Sequence, residues 1–527
     1  MIRKPMIYAL LLGTALGAMS LEASAQTLRF ASQSDALTLD PHAQNEGPTI
    51  TLAQQIHDPL IIRDDEMGIR EGLAVSWETV EPTLWEFKLR EGVKFHDGSD
   101  FTAEDAAFSL ERARVPPSDY RNYISSISEV RVVDDYTLHI ETSAPNPILP
   151  QQLTNIVMMS KAWAEEHGVE QAQNYAEGEE NYAVRNAMGT GAFKLESRAP
   201  DERTVLVRND DYWDADNIPM EVERVVFTPI ASAATRVAAL LSGELDLILY
   251  PPVQDLQRLE QSPDIQVKST PENRTIFLGL NQGADDLDSD SVEGQNPLAD
   301  KRVREAINLA IDVDAIQRVV MRGQSVPAGS IAPIYITGYQ EEFDQRPDRD
   351  LDRARELLAE AGYEDGFSID FACPNDRYNN DEAICQAVVG MLGQAGIEAN
   401  LRAQTRSLHF QQLQNGELDF YMLGWGVPTF DSEYIFNFLY HTNDGERGSW
   451  NMTGFSNERM DELVQAMSGE TDLDARDELI AEAWEIALDD LTYIPLHHEV
   501  LNWAMQANVD IPIRADNSPR FAHVTFD

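Results

Sequence analysis

Leu418-Asp419-Phe420-Tyr421-Met422-Leu423-Gly424-Trp425-Gly426-Val427-Pro428-Thr429-Phe430-Asp431-Ser432-Glu433 is the stretch on which the reading of this chain turns. Residues 418–423 form a short, mostly apolar run that predicts a buried strand. The strand is expected to stop at a Gly-Trp-Gly turn, where backbone can approach something else closely. Beyond it lie a large flat ring, a rigid Pro and two acids. In open α/β sheets, ligands bind in the crevice outside strand C-termini. A Trp to stack on and an Asp to hold a cation suit such a crevice. A Gly-rich turn with a core Trp and a helix-capping Asp fits the same residues.

The segments before it place this strand in an α/β unit. Residues 367–371 alternate as a strand, 381–395 form a helix closed by Gly396, and 397–402 form a second strand. Strand, helix, strand with short loops predicts a right-handed βαβ unit and a parallel pair. Upstream, Val303, Ala306, Ile307, Ala310 and Ile311 share one helical face. Asp312 restarts a helix that turns Ile316, Val319 and Val320 inward, and 351–361 form a helix closed by Gly362. Downstream, two helices are expected near 458–467 and 473–488, then short strand-like runs from Tyr493 on.

The first half reads differently. Residues 28–31 alternate as a strand, and Asn45-Glu46-Gly47-Pro48-Thr49 is a ligand-facing turn or a helix entry with Pro48 early in the helix. Residues 85–89 alternate like a half-buried strand, and 93–99 predict a second short strand closed by Asp97-Gly98. Thr102 with Asp105 three residues on approaches a capping box. Residues 130–140 form a hairpin around Asp134-Asp135, so 67–185 read as a small α+β unit. Gly189-Thr190-Gly191 enters a strand and is not a phosphate loop, because no helix follows. Residues 245–249 and 275–281 are further strands. The acidic loop 285–293 marks a domain change. It begins like a calcium loop at Asp286 but has Ser291 at the sixth position and Pro297 at the twelfth.

Composition bounds the function. With 527 residues the chain has room for more than one domain, and 43% hydrophobic with 25% charged residues is ordinary for a folded protein. The net charge of −50 argues against nucleic-acid backbones and anionic membranes as partners. It reads first as a solubility adaptation, with a weak long-range preference for cationic solutes as the other reading. Arg3 and Lys4, the apolar run from Met6 and Ala23-Ser24-Ala25 predict an export signal over residues 1–25, cleaved after Ala25. Cys373 and Cys385 are a disulfide or two separate thiols.

Hydrolytic motifs are missing: there is no G-x-S-x-G, no H-E-x-x-H and no C-x-x-C. Paired carboxylates for glycoside hydrolysis are not excluded. His497-His498 would point to opposite faces of a strand and so chelate a metal poorly.

The order of motifs resembles the bacterial solute-binding proteins of ABC importers, in the dipeptide/oligopeptide/nickel-binding family (extracellular solute-binding protein family 5). The resemblance lies in Leu73-Ala74-Val75-Ser76-Trp77, Leu89-Arg90-Glu91-Gly92-Val93-Lys94-Phe95-His96-Asp97-Gly98, Thr102-Ala103-Glu104-Asp105, Gly189-Thr190-Gly191-Ala192-Phe193, Asp300-Lys301-Arg302-Val303-Arg304-Glu305-Ala306-Ile307 and the βαβ unit leading to Gly424-Trp425. It implies an α/β, two-lobed periplasmic-binding-protein fold of type II with the extra domain of peptide-binding members. Lobe I would comprise 26–66, 186–285 and 496–527, the extra domain 67–185 and lobe II 286–495.

The implied role is to capture a di- or oligopeptide between closing lobes in the periplasm and deliver it to an inner-membrane ABC permease. The resemblance also admits an opine, a glycoside, a glutathione-like compound or a nickel complex as solute. It implies a monomer with no catalytic residue, cofactor or resident metal. Asp431 would pair with the peptide's amino terminus and Arg377 with its carboxylate. Trp425, Gly424, Gly426, Tyr378, Glu46, Gly47 and Asn281 complete the candidate ligand-binding set. Arg377 also fits a surface residue pairing with Asp376 or Asp381, and Trp425 a core residue.

Overall fold

The computed structural model describes residues 26–287, 292 and 294–527. The expected export signal and part of the acidic loop lie outside the described residues. The parallel pair expected from the βαβ unit is present: Phe367–Pro374 runs beside Ile397–Gln404 with Phe367 opposite Ile397, joined by the helix Asp381–Ala395. The disulfide is formed. Cys373 at the end of the first strand bridges Cys385 in the following helix, with the two Cα atoms 6.5 Å apart.

The main sheet runs, in hydrogen-bonded order, Ile397–Gln404, Phe367–Pro374, Phe420–Gly426, Ile265–Leu280, Tyr493–Gln506, Leu247–Leu249, Thr27–Ala31, Arg224–Phe227, Arg203–Arg208 and Phe193–Ala199. Ile265–Leu280 and Tyr493–Gln506 are long antiparallel neighbours, and they cross from one half of the molecule to the other. The sequence suggested only short runs here, because Pro271, Glu272, Asn273 and Arg274 interrupt the apolar pattern. That interruption is real but local. The register slips between Pro271, opposite Val500, and Thr275, opposite His498.

Packing follows the crossing. On the far side of the slip, Ile276, Leu278 and Leu280 join a core with Val303, Ala306, Ile307, Leu357, Ile384 and Phe420. Phe277, Leu423, Trp484 and Tyr493 join a second core on the opposite sheet face. On the near side, Ile265 and Ala504 pack with Ala31, Val237 and Leu240. The two strands therefore pass from one core to the other within their own length.

Residues 74–142 hold a separate four-stranded antiparallel sheet under the helix Ala103–Ala113. Its core also takes Leu60 and Ile61 from before residue 67. The Asp105 carboxylate accepts from the Thr102 N–H at 3.0 Å and from its hydroxyl at 3.2 Å, closing the expected box.

Three local expectations fail for identifiable reasons. Residues 93–99 are not a strand; a single bridge between Lys94 and Asp100 closes a tight turn. Val319 is 75% exposed, because Ile316–Val320 forms a five-residue π turn that rotates it outward. The Gly-Trp-Gly segment is strand, not turn: Gly426, Trp425 and Gly424 pair with Arg274, Thr275 and Ile276. Glycine is needed at 424 for space, since a Cβ there would lie 2.6 Å from Ile276 and 2.7 Å from the Tyr378 ring.

The Cys373–Cys385 bridge closes a short loop within the buried core that Ile276, Leu278 and Phe420 also join. A Cys373→Ser, Cys385→Ser variant is expected to lose about 3 kcal/mol in the chain-entropy view. Chemical denaturation of oxidised wild type and variant measures this.

Candidate functional site

The register slip places a group of charged side chains where the lobes meet. Arg274 leaves the first crossing strand with its Nη2 3.5 Å from Glu272 and its Nε 3.7 Å from Glu499 on the second. Glu499 is buried and accepts the Asn379 N–H at 3.2 Å. Burial, followed by repulsion from Glu272, pushes its pKa up to about 7, against the opposing pull of Arg274. Burial lowers the pKa of Arg274, but the two acids outweigh it and the net shift is upward.

Arg377 lies beside this group, on the loop that follows Phe367–Pro374. Its backbone N–H donates to Asp381 at 2.9 Å, and its guanidinium lies 5.0 Å over the Tyr378 ring. No carboxylate among the described residues forms an ion pair with that guanidinium, so the expected alternative of pairing with Asp376 or Asp381 does not describe it. Arg377 is an exposed residue; partial desolvation of its head and the neighbouring Arg274 lower its pKa, against the opposing pull of Tyr378, Glu499 and Glu272. Tyr378 is buried and acts as a prop: its hydroxyl accepts the Gly424 N–H at 2.8 Å and donates to the Gly424 carbonyl at 3.2 Å. The backbone polar groups of Gly424 are thus already engaged. Gly426 runs alongside Arg274.

Trp425 projects to the other face of the strand, into a half-open aromatic cluster. Its ring centroid lies 5.8 Å from Tyr434, 6.1 Å from Phe438 and 5.5 Å from Trp450. The ring is 9% exposed and its indole N–H has no hydrogen-bond partner. A buried unpaired donor costs stability unless something else satisfies it.

Asp431 is not a free carboxylate. Arg476 donates to both its oxygens, at 2.8 and 2.6 Å, and the Glu433 N–H donates to one of them at 2.9 Å. The pair is sealed, with side-chain exposure of 1% for Asp431 and 3% for Arg476. The capping function considered for Asp431 is therefore what the geometry displays. Glu46 likewise caps the helix Gly47–Ile56 by accepting the Thr49 N–H at 2.9 Å, and Gly47 is exposed at the helix start. Asn281 is not part of this group. It sits just past the far end of Ile265–Leu280, where its side chain donates to Asp419 at 2.9 Å.

The loop after Gly426 is held from several sides through its carbonyls. Asn273 of the crossing strand donates to Val427 at 2.6 Å, Asn155 of the extra domain to Pro428 at 3.3 Å, and Arg63 of lobe I to Thr429 at 2.9 Å. Arg63 also lies 4.3 Å over the Phe430 ring, which packs with Met67 and Ala515. None of Arg63, Asn155, Asn273, Arg274, Glu499 or Arg476 was singled out by sequence reasoning. Arg476 carried a readable signal: it falls on the same helical face as Ile480, Ala483, Trp484 and Ala487, and a charge on an apolar face needs a buried partner.

A family model described as "Bacterial extracellular solute-binding proteins, family 5 Middle" matches residues 68–447. The chain belongs to this family. It is accordingly the solute-binding component of an ABC importer, which hands its solute to an inner-membrane permease. The "Dipeptide-binding protein" of Escherichia coli K12 is 28% identical over 521 residues, covering 93% of each chain. "Heme-binding protein A" of Haemophilus influenzae is 26% identical, covering 85% of this chain and 82% of its own length. Among solved structures, the periplasmic binding protein DppA of Helicobacter pylori, in complex with the peptide STSA, superposes with a TM-score of 0.76 at 24% identity, covering 95% of this chain and 98% of its own. This family 5 protein therefore has the two-lobed fold of those binding proteins.

Two outcomes follow from the charges. Asp431→Ala leaves Arg476 buried without a partner, so the ligand-free protein should lose about 3–5 kcal/mol; calorimetric unfolding measures it. Glu499 has a folded pKa above its unfolded value, so its stabilising protonated state is lost as pH rises from the ordinary carboxylate range through about 7. Melting temperature recorded from acid to mildly alkaline pH should fall less steeply across that window in Glu499→Gln than in wild type.

Proposed function

We propose that this family 5 protein captures di- or oligopeptides in the interlobe cleft and releases them unaltered to its permease. It works in the periplasm after removal of residues 1–25. The observation that carries the peptide reading is Arg377, a cation beside the hinge with no carboxylate partner among the described residues. A peptide's terminal carboxylate is the partner that a guanidinium accepts best, through paired charge-assisted hydrogen bonds. The dipeptide-binding relative covers nearly the whole chain and supports the same class. The aromatic cluster of Trp425, Tyr434, Phe438 and Trp450, of which Tyr434, Phe438 and Trp450 are partly open, supplies a surface for an apolar side chain.

Thermal shift of the mature protein against di- to pentapeptides, metal complexes and small organic acids tests this. A peptide at a hundred times its dissociation constant should stabilise the protein by about 2.7 kcal/mol. Arg377→Ala should abolish that shift while costing no more than about 1 kcal/mol of ligand-free stability, because the guanidinium gives up only its contact with the Tyr378 ring. A panel in which peptides are silent and another class responds removes the peptide reading.

A further inference from the structure

A groove of about 570 Å³ opens where the small four-stranded sheet meets the main body of the molecule. One wall comes from the strands Ile69–Glu71 and Ala74–Glu81, the other from residues 213–217, in the connection that follows Arg203–Arg208. Its volume lies in the range of small-molecule sites, about 300–1000 Å³. The aromatic part of the wall is held in place. Trp213 donates its indole N–H to the buried Asp58 at 3.0 Å, and the Arg90 guanidinium lies 4.6 Å over its ring. Arg90 is steadied in turn by donating from Nε to the Gly72 carbonyl at 3.1 Å. Trp77 packs in part on the core of the small sheet and is otherwise open to the groove. Among the described residues, no second ring, guanidinium or hydrogen-bond acceptor engages its indole.

The polar part of the wall is balanced in charge. Arg70 stands 3.6 Å from Asp214, and Arg90 stands 3.6 Å from Glu71. Direct charge-assisted hydrogen bonds are shorter, about 2.7–2.9 Å, so donors and acceptors on both sides keep capacity for a ligand. Asn217 fixes Asp214 by donating to it at 2.7 Å. With two cations and two acids in the wall, a ligand of either sign meets a like charge as readily as an opposite one. The net charge of −50 disfavours anions further. The ligand that uses every group is neutral, carries hydroxyls that both donate and accept, and has one apolar face to lay on an indole. We infer that this groove is a second binding site, for a neutral saccharide, with Trp77 as the stacking surface and Arg70, Arg90, Glu71 and Asp214 as hydroxyl partners. The site stands apart from the peptide reading, because it shares no residue with the groups around Arg377, Trp425 and Glu46.

Isothermal titration calorimetry of the mature protein with cellobiose, maltose and N,N′-diacetylchitobiose tests the site. At least one of the three should bind. Trp77→Ala should weaken that binding by about tenfold or more, the loss expected for a stacking indole. Glu71→Gln keeps the shape of an exposed side chain and removes one charged acceptor, so it should weaken binding by about threefold to tenfold. The ligand-free melting temperature of Glu71→Gln should match wild type, which keeps the test valid if Trp77→Ala folds poorly. The aldonic acid made by oxidising the reducing end of the sugar that binds should bind more weakly than the neutral parent.

Silence from all three sugars overturns the inference. So does undiminished binding in Glu71→Gln and Trp77→Ala, which would place the sugar elsewhere on the molecule. Tighter binding of the aldonic acid than of its parent overturns the neutral class. None of these results bears on peptide capture, which is read separately from the thermal shift with peptides.

Discussion

The pairing of Ile265–Leu280 with Tyr493–Gln506 is the constraint on which the other features rest. Two neighbouring strands run through both halves of the molecule, so the lobes share one hydrogen-bonded ladder. A ladder without a fault would make them one rigid slab. The fault lies between Pro271 and Thr275, where Pro271 offers no N–H and the register slips. On either side, bulky apolar residues lock the strands into separate cores. The fault falls in a few residues that carry no core side chain, which is the arrangement that hinge closure of rigid bodies requires.

The polar residues at the fault also form a charged group of their own. Arg274 and Glu272 come from the segment whose pairing with Tyr493–Gln506 is interrupted, and Glu499 faces them from that strand. Any rotation of the lobes changes the distances within this group, in surroundings where solvent screens charges weakly. Arg377 stands at its margin, attached to lobe II through Tyr378 and Asp381. Positioning is therefore rigid on the lobe II side, where a buried tyrosine hydroxyl spans both polar groups of Gly424. Sheet register, the glycine and the tyrosine form one unit that aims the cation.

Much of the fold was legible because it follows periodicity. The helix Asp381–Ala395, its Gly396 cap and the flanking strands are bounded by ordinary signals of 3.6 and 2 residues. The crossing strands were not legible, since each passes between two environments: Ile265–Leu280 is half-exposed in its first part and buried throughout its last six residues. A single-period reading keeps only the buried part. Arg377, Trp425 and the glycines at 424 and 426 were singled out because they lie near the end of a readable strand or match the family's motif. Asp431 was found too, but its partner Arg476 lies 45 residues on, and no local pattern links them. The hinge acids and the residues that grasp the Val427–Thr429 carbonyls are assembled only by tertiary folding.

Those grasped carbonyls have an evolutionary consequence. Asn273, Asn155 and Arg63 hold three successive main-chain oxygens and no side chain of residues 427–429. Every amino acid presents the same oxygen, so mutation along this rim leaves the acceptors untouched. A lineage can thus vary these side chains and inherit the clasp unchanged.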